Sequence, residues 1–284
     1  MPSLEALHRA GHALPLVVTQ PDRPGHRRRL TRPPVKEAAA RLGLEVIQPE
    51  KIRDAGALER IRAAAPELMV VVAYGQIIPR PLLDLPPRGV VNVHASLLPR
   101  WRGAAPVQHA LLAGDEVTGV TIMRMDEQLD HGPVLARREL EVGPGEDAAQ
   151  LTQRLALAGA ELLVDTLEHL DEIEPVEQDH AAATPAPRLK REDGELDWSL
   201  PAAELVRRLR AYAPWPGVTL PWRGSRVKVL RAHAEPGSGE PGEVVGHRGD
   251  RLEVATGDGV LVLTEVQLPT RRPMRGRSLL ARDA

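Results

Sequence analysis

Gly89-Val90-Val91-Asn92-Val93-His94 opens a stretch that continues Ala95-Ser96-Leu97-Leu98-Pro99-Arg100-Trp101-Arg102-Gly103-Ala104-Ala105-Pro106, and the reading of this run decides the fold. A valine-rich segment entered through a glycine reads as a strand. Pro99 and Gly103 punctuate a loop, and Ala104 to Ala113 reads as a helix stopped by Gly114. Strand, loop and helix in succession make one unit of an α/β sheet. Asn92 and His94 stand two apart on the strand, so both side chains point to one face. An amide and an imidazole can therefore converge on a single atom. Downstream, Asp126-Glu127-Gln128-Leu129-Asp130-His131-Gly132 brings a carboxylate, Asp130, able to fix the charge state of that imidazole. A donor for a developing oxyanion, a proton-handling ring and an orienting acid are the equipment of acyl transfer. Each piece alone is commonplace, since an Asn-x-His at a strand end is more often a turn residue and a satisfied histidine. Their order along one string carries the weight.

Working outward, Leu4 to Ala10 reads as a short helix ended by Gly11, and Leu14 to Thr19 as a strand. Val35 to Leu42 reads as helix, Leu44 to Ile47 as strand, Ala55 to Ala65 as helix and Leu68 to Ala73 as a continuous apolar strand. Strands alternating with helices imply a parallel sheet covered on both faces. Val117 to Met125 and Val134 to Leu140 read as a strand pair flanking the aspartate loop. Asp147 to Leu170 reads as a long helix with leucines on one stripe. From about Asp171 to Glu195 the chain turns acidic and then Ala/Pro-rich, the composition of a linker. After a helix from Pro201 to Tyr212, several short strands with close Gly, Asp and Pro turns indicate a small β-barrel or sandwich. The expected organisation is a first α/β domain over 1–173, a linker over 174–195 and a β domain over 196–284.

The 284 residues contain no cysteine, which excludes disulfides, thiolate metal sites and cysteine nucleophiles and fits a cytoplasmic protein. No apolar run approaches the length of a membrane helix, and the start lacks the pattern of a secretory signal. With 42% hydrophobic residues, no phenylalanine and 2% aromatics, the core is expected to be aliphatic. The net charge of −2 argues against a globally basic nucleic-acid binder. Locally the balance differs. Gln20 to Lys36 holds Arg23, Arg27, Arg28, Arg29, Arg32 and Lys36 against Asp22, and Arg271, Arg272, Arg275 and Arg277 cluster near the other end. No ligand cluster for a metal is apparent; His8 and His12, four apart, read as surface residues.

Taken together, the Asn92–Pro106 loop, Thr118-Gly119-Val120-Thr121-Ile122-Met123, the double aspartate, Leu189 to Ser199 and Ala213-Pro214-Trp215-Pro216-Gly217 resemble the 10-formyltetrahydrofolate-dependent formyltransferases along nearly the whole chain. The resemblance implies a Rossmann-like formyltransferase domain followed by an OB-like barrel. It implies movement of a formyl group from N10 of tetrahydrofolate, the co-substrate, to the amine of an aminoacyl-tRNA, with initiator methionyl-tRNA as partner, no metal, no membrane and a monomer. It makes Asn92, His94 and Asp130 the catalytic set. Ser96, Leu97, Leu98 and Pro99 match the folate-contacting loop, and Tyr74 at a strand end is expected to line the same crevice. The segment with Arg23, Arg27, Arg28, Arg29, Arg32 and Lys36 stands where the family carries a basic loop that enters the tRNA acceptor end. Arg271 and Arg272 extend that basic character.

Three features depart from the family pattern. An opening strand with a Gly-Thr-Pro-x-Phe turn is absent from this sequence, so the sheet is expected to lack a central strand, and full activity of the polypeptide as written is not expected. Gln128 and His131 stand where the family tends to have glycine and a small hydroxyl residue. The alternatives are a sugar-nucleotide N-formyltransferase, disfavoured by the arginine-rich loop, and an inactive RNA-binding relative, disfavoured by the retained Asn92, His94 and Asp130. A glycinamide ribonucleotide formyltransferase shares Asn-x-His and the aspartate but has no second domain.

Overall fold

The computed structural model describes residues 1–24 and 30–282. The chain divides into two compact units. The first comprises Met1–Pro106, Val117–Glu141 and Gln153–Ala186; the second comprises Val107–Glu116, Val142–Thr152 and Pro187–Ala284.

In the first unit, helix α1 (Pro2–Arg9) is followed by β1 (Val17–Val18), α2 (Pro34–Arg41), β2 (Val46–Ile47), α3 (Ala55–Ala63), β3 (Met69–Val71), β4 (Val90–His94) and the start of α4 (Pro106–Ala113). An antiparallel pair, β5 (Val117–Arg124) and β6 (Val134–Glu141), precedes the long helix α5 (Ala148–Glu168), which belongs to this unit from Gln153 onward. β1 pairs with β2 in parallel, and β3 with β4 in parallel. β4 then pairs antiparallel with β5, so the parallel order expected from the alternating elements gives way to antiparallel strands on the side that carries the aspartate loop.

The sheet is in two pieces among the described residues, β1–β2 and β3–β4–β5–β6. The segments 14–18 and 68–71, which contain β1 and β3, nonetheless feed the same two apolar clusters. Leu14, Leu68 and Val70 pack on one face with Leu7, Val91, Ile122, Leu162 and Leu163. Leu16, Val18, Met69 and Val71 pack on the other with Ile52, Ile61, Ile78 and Leu82. This agrees with the expectation of a sheet without a central strand. It also explains why the strand expected over Leu14–Thr19 shrinks to Val17–Val18: with one edge unpaired, the ladder extends only as far as β2 supports it.

α5 presents Leu151, Leu155, Leu162 and Leu163, each at most 5% exposed. Such leucines contribute about 2 kcal/mol each on burial. Gly159 lets the helix approach the sheet, since a Cβ there would stand 2.9 Å from Val93 and 3.1 Å from Val120. No helix among the described residues is long and apolar enough to cross a membrane.

In the second unit, α6 (Ala202–Ala211) packs on an antiparallel sheet built from β7 (Val218–Trp222), β8 (Ser225–Glu235), β9 (Val244–Arg248), β10 (Arg251–Ala255), β11 (Val260–Gln267) and β12 (Met274–Arg275). The order is β7–β8–β11–β10–β9, with β12 on β11. Irregularities at Val229–Ala232 and Val244–Gly246 bend the two strands that carry them. Leu205, Leu220, Val254, Leu261 and Leu263 fill the aliphatic core. Trp198 is buried and donates its Nε1–H to the Pro221 carbonyl at 2.8 Å, a packing role.

Candidate active site

β4 sets the site. Its neighbours β3 and β5 hold it from both sides, and Asn92 and His94 lie opposite Met123 and Thr121 of β5. Both side chains are buried, at 8% and 6% exposure. The His94 ring is anchored through Nε2, 2.9 Å from the Trp101 carbonyl. A carbonyl only accepts, so Nε2 carries a hydrogen and Nδ1 is the nitrogen left for other partners. Nδ1 faces Asp130 Oδ1 at 3.6 Å. Asn92 Nδ2 approaches the same oxygen at 3.5 Å, a long contact that leaves the amide available to another acceptor. The other carboxylate oxygen, Oδ2, accepts from the Gly103 backbone N–H at 2.8 Å. The three polar residues expected from sequence are thus brought together, and the Gly103 amide is a fourth participant.

Asp130 is reached by a loop, and its φ of 50° lies in the left-handed region, uncommon for a residue with a side chain. The loop is organised from within by Asp126, which accepts from the Gln128 amide at 2.9 Å and pairs with His131 Nδ1 at 2.7 Å. Gln128 and His131, the departures noted in the sequence, are therefore coupled through Asp126 to the setting of Asp130. Arg80 joins this loop to the segment after β3 through Glu127 at 3.1 Å.

The Ser96–Pro99 loop is locked. Ser96 is fully buried and its Oγ donates to the Arg100 carbonyl at 2.6 Å. Thr121 Oγ1 donates to the Ser96 carbonyl and accepts from the Leu98 amide. Leu98 is 1% exposed, so of the four side chains only those of Leu97 and Pro99 are partly open to a ligand. Gly119 of β5 makes room for Leu97, because a Cβ there would stand 2.6 Å from its Cδ2. Tyr74 packs its ring against the Ile52–Leu82 cluster, and burial pushes its phenol up from the ordinary value. Ile77, close behind it in sequence, is almost fully exposed.

The basic segment is described in part. Arg27, Arg28 and Arg29 lie outside the described residues. On either side, Arg23–Pro24 and Leu30–Thr31 pair as short antiparallel strands. Arg32 is exposed, Arg23 donates to Gln20 Oε1 at 3.1 Å, and Lys36 is paired with Asp22 at 2.8 Å. Hydrogen bonds from Gln48 and Lys36 hold the Asp22 carboxyl below the usual range. Arg271 and Arg272 are exposed on the second unit.

What composition did not reveal is the role of the stretch read as linker. Residues 176–186 are built into the first unit. Val176 exchanges backbone hydrogen bonds with Val134 at 2.8 and 2.9 Å. Gln178 donates to the Asp130 and Gly132 carbonyls. Thr184 accepts from the Trp101 amide through Oγ1 and from the Arg102 amide through its carbonyl. Pro185 and Ala186 pair in parallel with Arg102 and Gly103. Gly103, at φ 129°, is needed there, since a Cβ would stand 2.5 Å from the Ala186 carbonyl oxygen. A segment held by single polar residues and backbone pairing has no apolar periodicity, and nothing in the run Val176 to Ala186 sets Gln178 and Thr184 apart from their polar neighbours Glu177, Asp179 and His180.

Comparison with known proteins agrees with this geometry. Residues 3–167 match the formyl transferase family, and residues 188–284 match the formyl transferase C-terminal domain. The chain is 49% identical over 285 residues to the methionyl-tRNA formyltransferase of Chloroflexus aurantiacus, covering 98% of this chain and 92% of that protein. It is 50% identical over 283 residues to the methionyl-tRNA formyltransferase of Granulibacter bethesdensis, covering 99% and 89%. In fold it is similar to the N-formyltransferase from Helicobacter canadensis crystallised with folinic acid and dTDP-3-aminofucose, with a TM-score of 0.66 at 15% identity over 92% of this chain and 93% of that one. It is likewise similar to HypX from Aquifex aeolicus in complex with tetrahydrofolic acid, with a TM-score of 0.62 at 20% identity over 86% of this chain and 43% of that one. The chain belongs to the formyl transferase family, among its methionyl-tRNA formyltransferases.

Proposed function

We propose that this protein transfers the formyl group of 10-formyltetrahydrofolate to the amino group of methionyl-initiator tRNA, with Asn92, His94 and Asp130 as the catalytic residues. The observation that carries the reading is the convergence of the imidazole Nδ1 and the Asn92 amide on one carboxylate oxygen, at 3.6 and 3.5 Å, at the end of β4. Attack of the amine on the formyl carbon places negative charge on the formyl oxygen, and the Asn92 amide donates to it without changing its own charge. The attacking nitrogen becomes positive. His94, with Nε2–H fixed on Trp101, accepts the amine's proton at Nδ1 and becomes an imidazolium facing Asp130. Collapse breaks the carbon–N10 bond, and the same proton returns to the leaving nitrogen.

Leu97 and Pro99 supply apolar wall to the pterin, and backbone groups of the Ser96–Pro99 loop supply its polar contacts. Tyr74 holds the floor of the crevice through packing. The arginines of the 23–32 segment, with Arg271 and Arg272, engage the tRNA; Lys36 stiffens that segment through Asp22. The protein is expected to act as a cytoplasmic monomer. Formyl transfer is measured with charged initiator tRNA and, beside it, with an amino-sugar nucleotide, each with 10-formyltetrahydrofolate. Product on the tRNA alone supports the reading. Product on the sugar alone makes the protein a sugar-nucleotide N-formyltransferase, and no product on either makes it an inactive relative.

A further inference from the structure

The Asp130 loop is held from behind by one buried side chain that belongs to neither catalytic loop. Gln178 is 4% exposed. Its Nε2 donates to the carbonyl of Asp130 at 3.0 Å and to that of Gly132 at 2.7 Å. Its Oε1 accepts from Arg102 Nε at 3.2 Å and Nη2 at 2.7 Å. Both amide hydrogens and the carbonyl oxygen are thus used. The orientation is fixed by chemistry, because a flipped amide would set its oxygen against two carbonyls and its NH2 against a guanidinium. Arg102 in turn donates through Nη2 to His180 Nδ1 at 2.9 Å, and the His180 ring stacks on His131 with centroids 3.9 Å apart.

We propose that Gln178, braced by Arg102, is a positioning residue for Asp130, on the reading above that Asp130 serves formyl transfer. Asp130 sits at φ 50°. A residue with a side chain persists there only when its surroundings over-determine the backbone. Gln178 pins the Asp130 carbonyl while Gly103 N–H pins the carboxylate, so the residue is held at both ends. Without the amide donor the peptide relaxes toward negative φ, and the carboxylate swings away from the imidazole and the Gly103 amide. Arg102 and Gly103 are adjacent, so one short segment supplies both the brace for Gln178 and the donor for Asp130.

The test uses Gln178→Glu, Gln178→Ala and Arg102→Ala in the full chain. Glutamate keeps the size and an acceptor for Arg102, but replaces the donation to the two carbonyls by an oxygen that repels them; alanine removes the donation without that repulsion. Hydrogen exchange of the Gly103 amide is read first and needs no activity. Faster exchange at Gly103 in both Gln178 variants, with exchange of the β5 amide of Ile122 unchanged, supports the inference; unchanged Gly103 exchange overturns it. In steady-state formyl transfer, kcat is expected to fall roughly 10–100-fold in both Gln178 variants with both KM values held within about twofold, as for a misplaced catalytic group. Gln178→Ala combined with Arg102→Ala is expected to lose less than the product of the two single losses, because the brace from Arg102 runs in large part through the glutamine. A full-rate Gln178→Glu enzyme, or losses in kcat that simply multiply in the double variant, overturns the inference. A wild-type chain without formyl transfer sinks the proposed reaction and leaves the exchange result to decide the positioning role.

Discussion

Replacing Asp130 by asparagine removes one charge and little else. The amide retains an oxygen for the Gly103 N–H, now 2.8 Å from Oδ2, and the volume is unchanged. What disappears is the carboxylate that faces His94 Nδ1 at 3.6 Å, with the two side chains only 12% and 6% exposed. At that separation and an effective dielectric of about 20, a unit charge pair is worth about 4–5 kcal/mol. Some of this is recovered when solvent and the asparagine dipole rearrange. The positive charge that develops during transfer lies on the amine nitrogen or on the imidazole, and in either place the carboxylate stabilises it. Asp130→Asn is therefore expected to lower the rate of the chemical step by roughly 10²–10³-fold. Single-turnover formylation with saturating methionyl-tRNA and formyl donor reads that step directly, and a thermal midpoint within a few degrees of wild type shows that the fold is kept. Asp165→Asn serves as the internal control, since that exposed carboxylate faces His169 and stands outside the Asp130 loop. An Asp130→Asn enzyme within about fivefold of wild type would refute the electrostatic account, because the same geometry allows no such small effect.

Neutralising Arg27, Arg28 and Arg29 together is expected to raise KM for tRNA while KM for the formyl donor stays unchanged; an unaltered tRNA KM removes that segment from the interface. Gly119→Ala forces a methyl group against Leu97 and the backbone of Arg138, and is expected to cost about 1–3 kcal/mol in urea denaturation while weakening folate binding; a neutral outcome contradicts the close approach of β5 to the Ser96–Pro99 loop. The Asp22 carboxyl is held below its usual range, so its contribution to stability is present above its unfolded pKa and is lost as pH falls below about 4. Melting curves between pH 6 and roughly 3 are expected to show a smaller acid loss for Asp22→Asn than for wild type, and identical losses would show that the Lys36 and Gln48 contacts do not persist in solution.

Much of this was legible in the sequence where a side-chain pattern repeats. The valines of β4, the leucine stripe of α5 and the alternating elements ahead of them carry their burial in their spacing, and Asn92 and His94 inherit their common face from the strand. Asp130 was singled out by the resemblance to the family, since its place between two expected strands is shared by Asp126. The unusual backbone that aims it was not legible, since a positive φ at a non-glycine residue is imposed by neighbours. The Gly103 amide, the Trp101 carbonyl and the Thr121 hydroxyl act through backbone or through a single bond across the sheet, and no periodicity announces them. The pairing of 185–186 was not legible for a physical reason: Pro185 and Ala186 pair with Arg102 and Gly103 through backbone, and the close approach is made possible by the missing side chain of Gly103 on the other segment.

Trp101 is the only tryptophan among residues 1–186; the other three, Trp198, Trp215 and Trp222, all fall in the segment Pro187–Ala284. Its carbonyl accepts from His94, and the Arg100 guanidinium lies 4.3 Å above its indole. The molecule thus carries a native optical probe in direct contact with the proposed catalytic histidine. With the other three indoles exchanged for phenylalanine, emission from this one indole is expected to follow occupancy of the proposed folate crevice in real time, without any label.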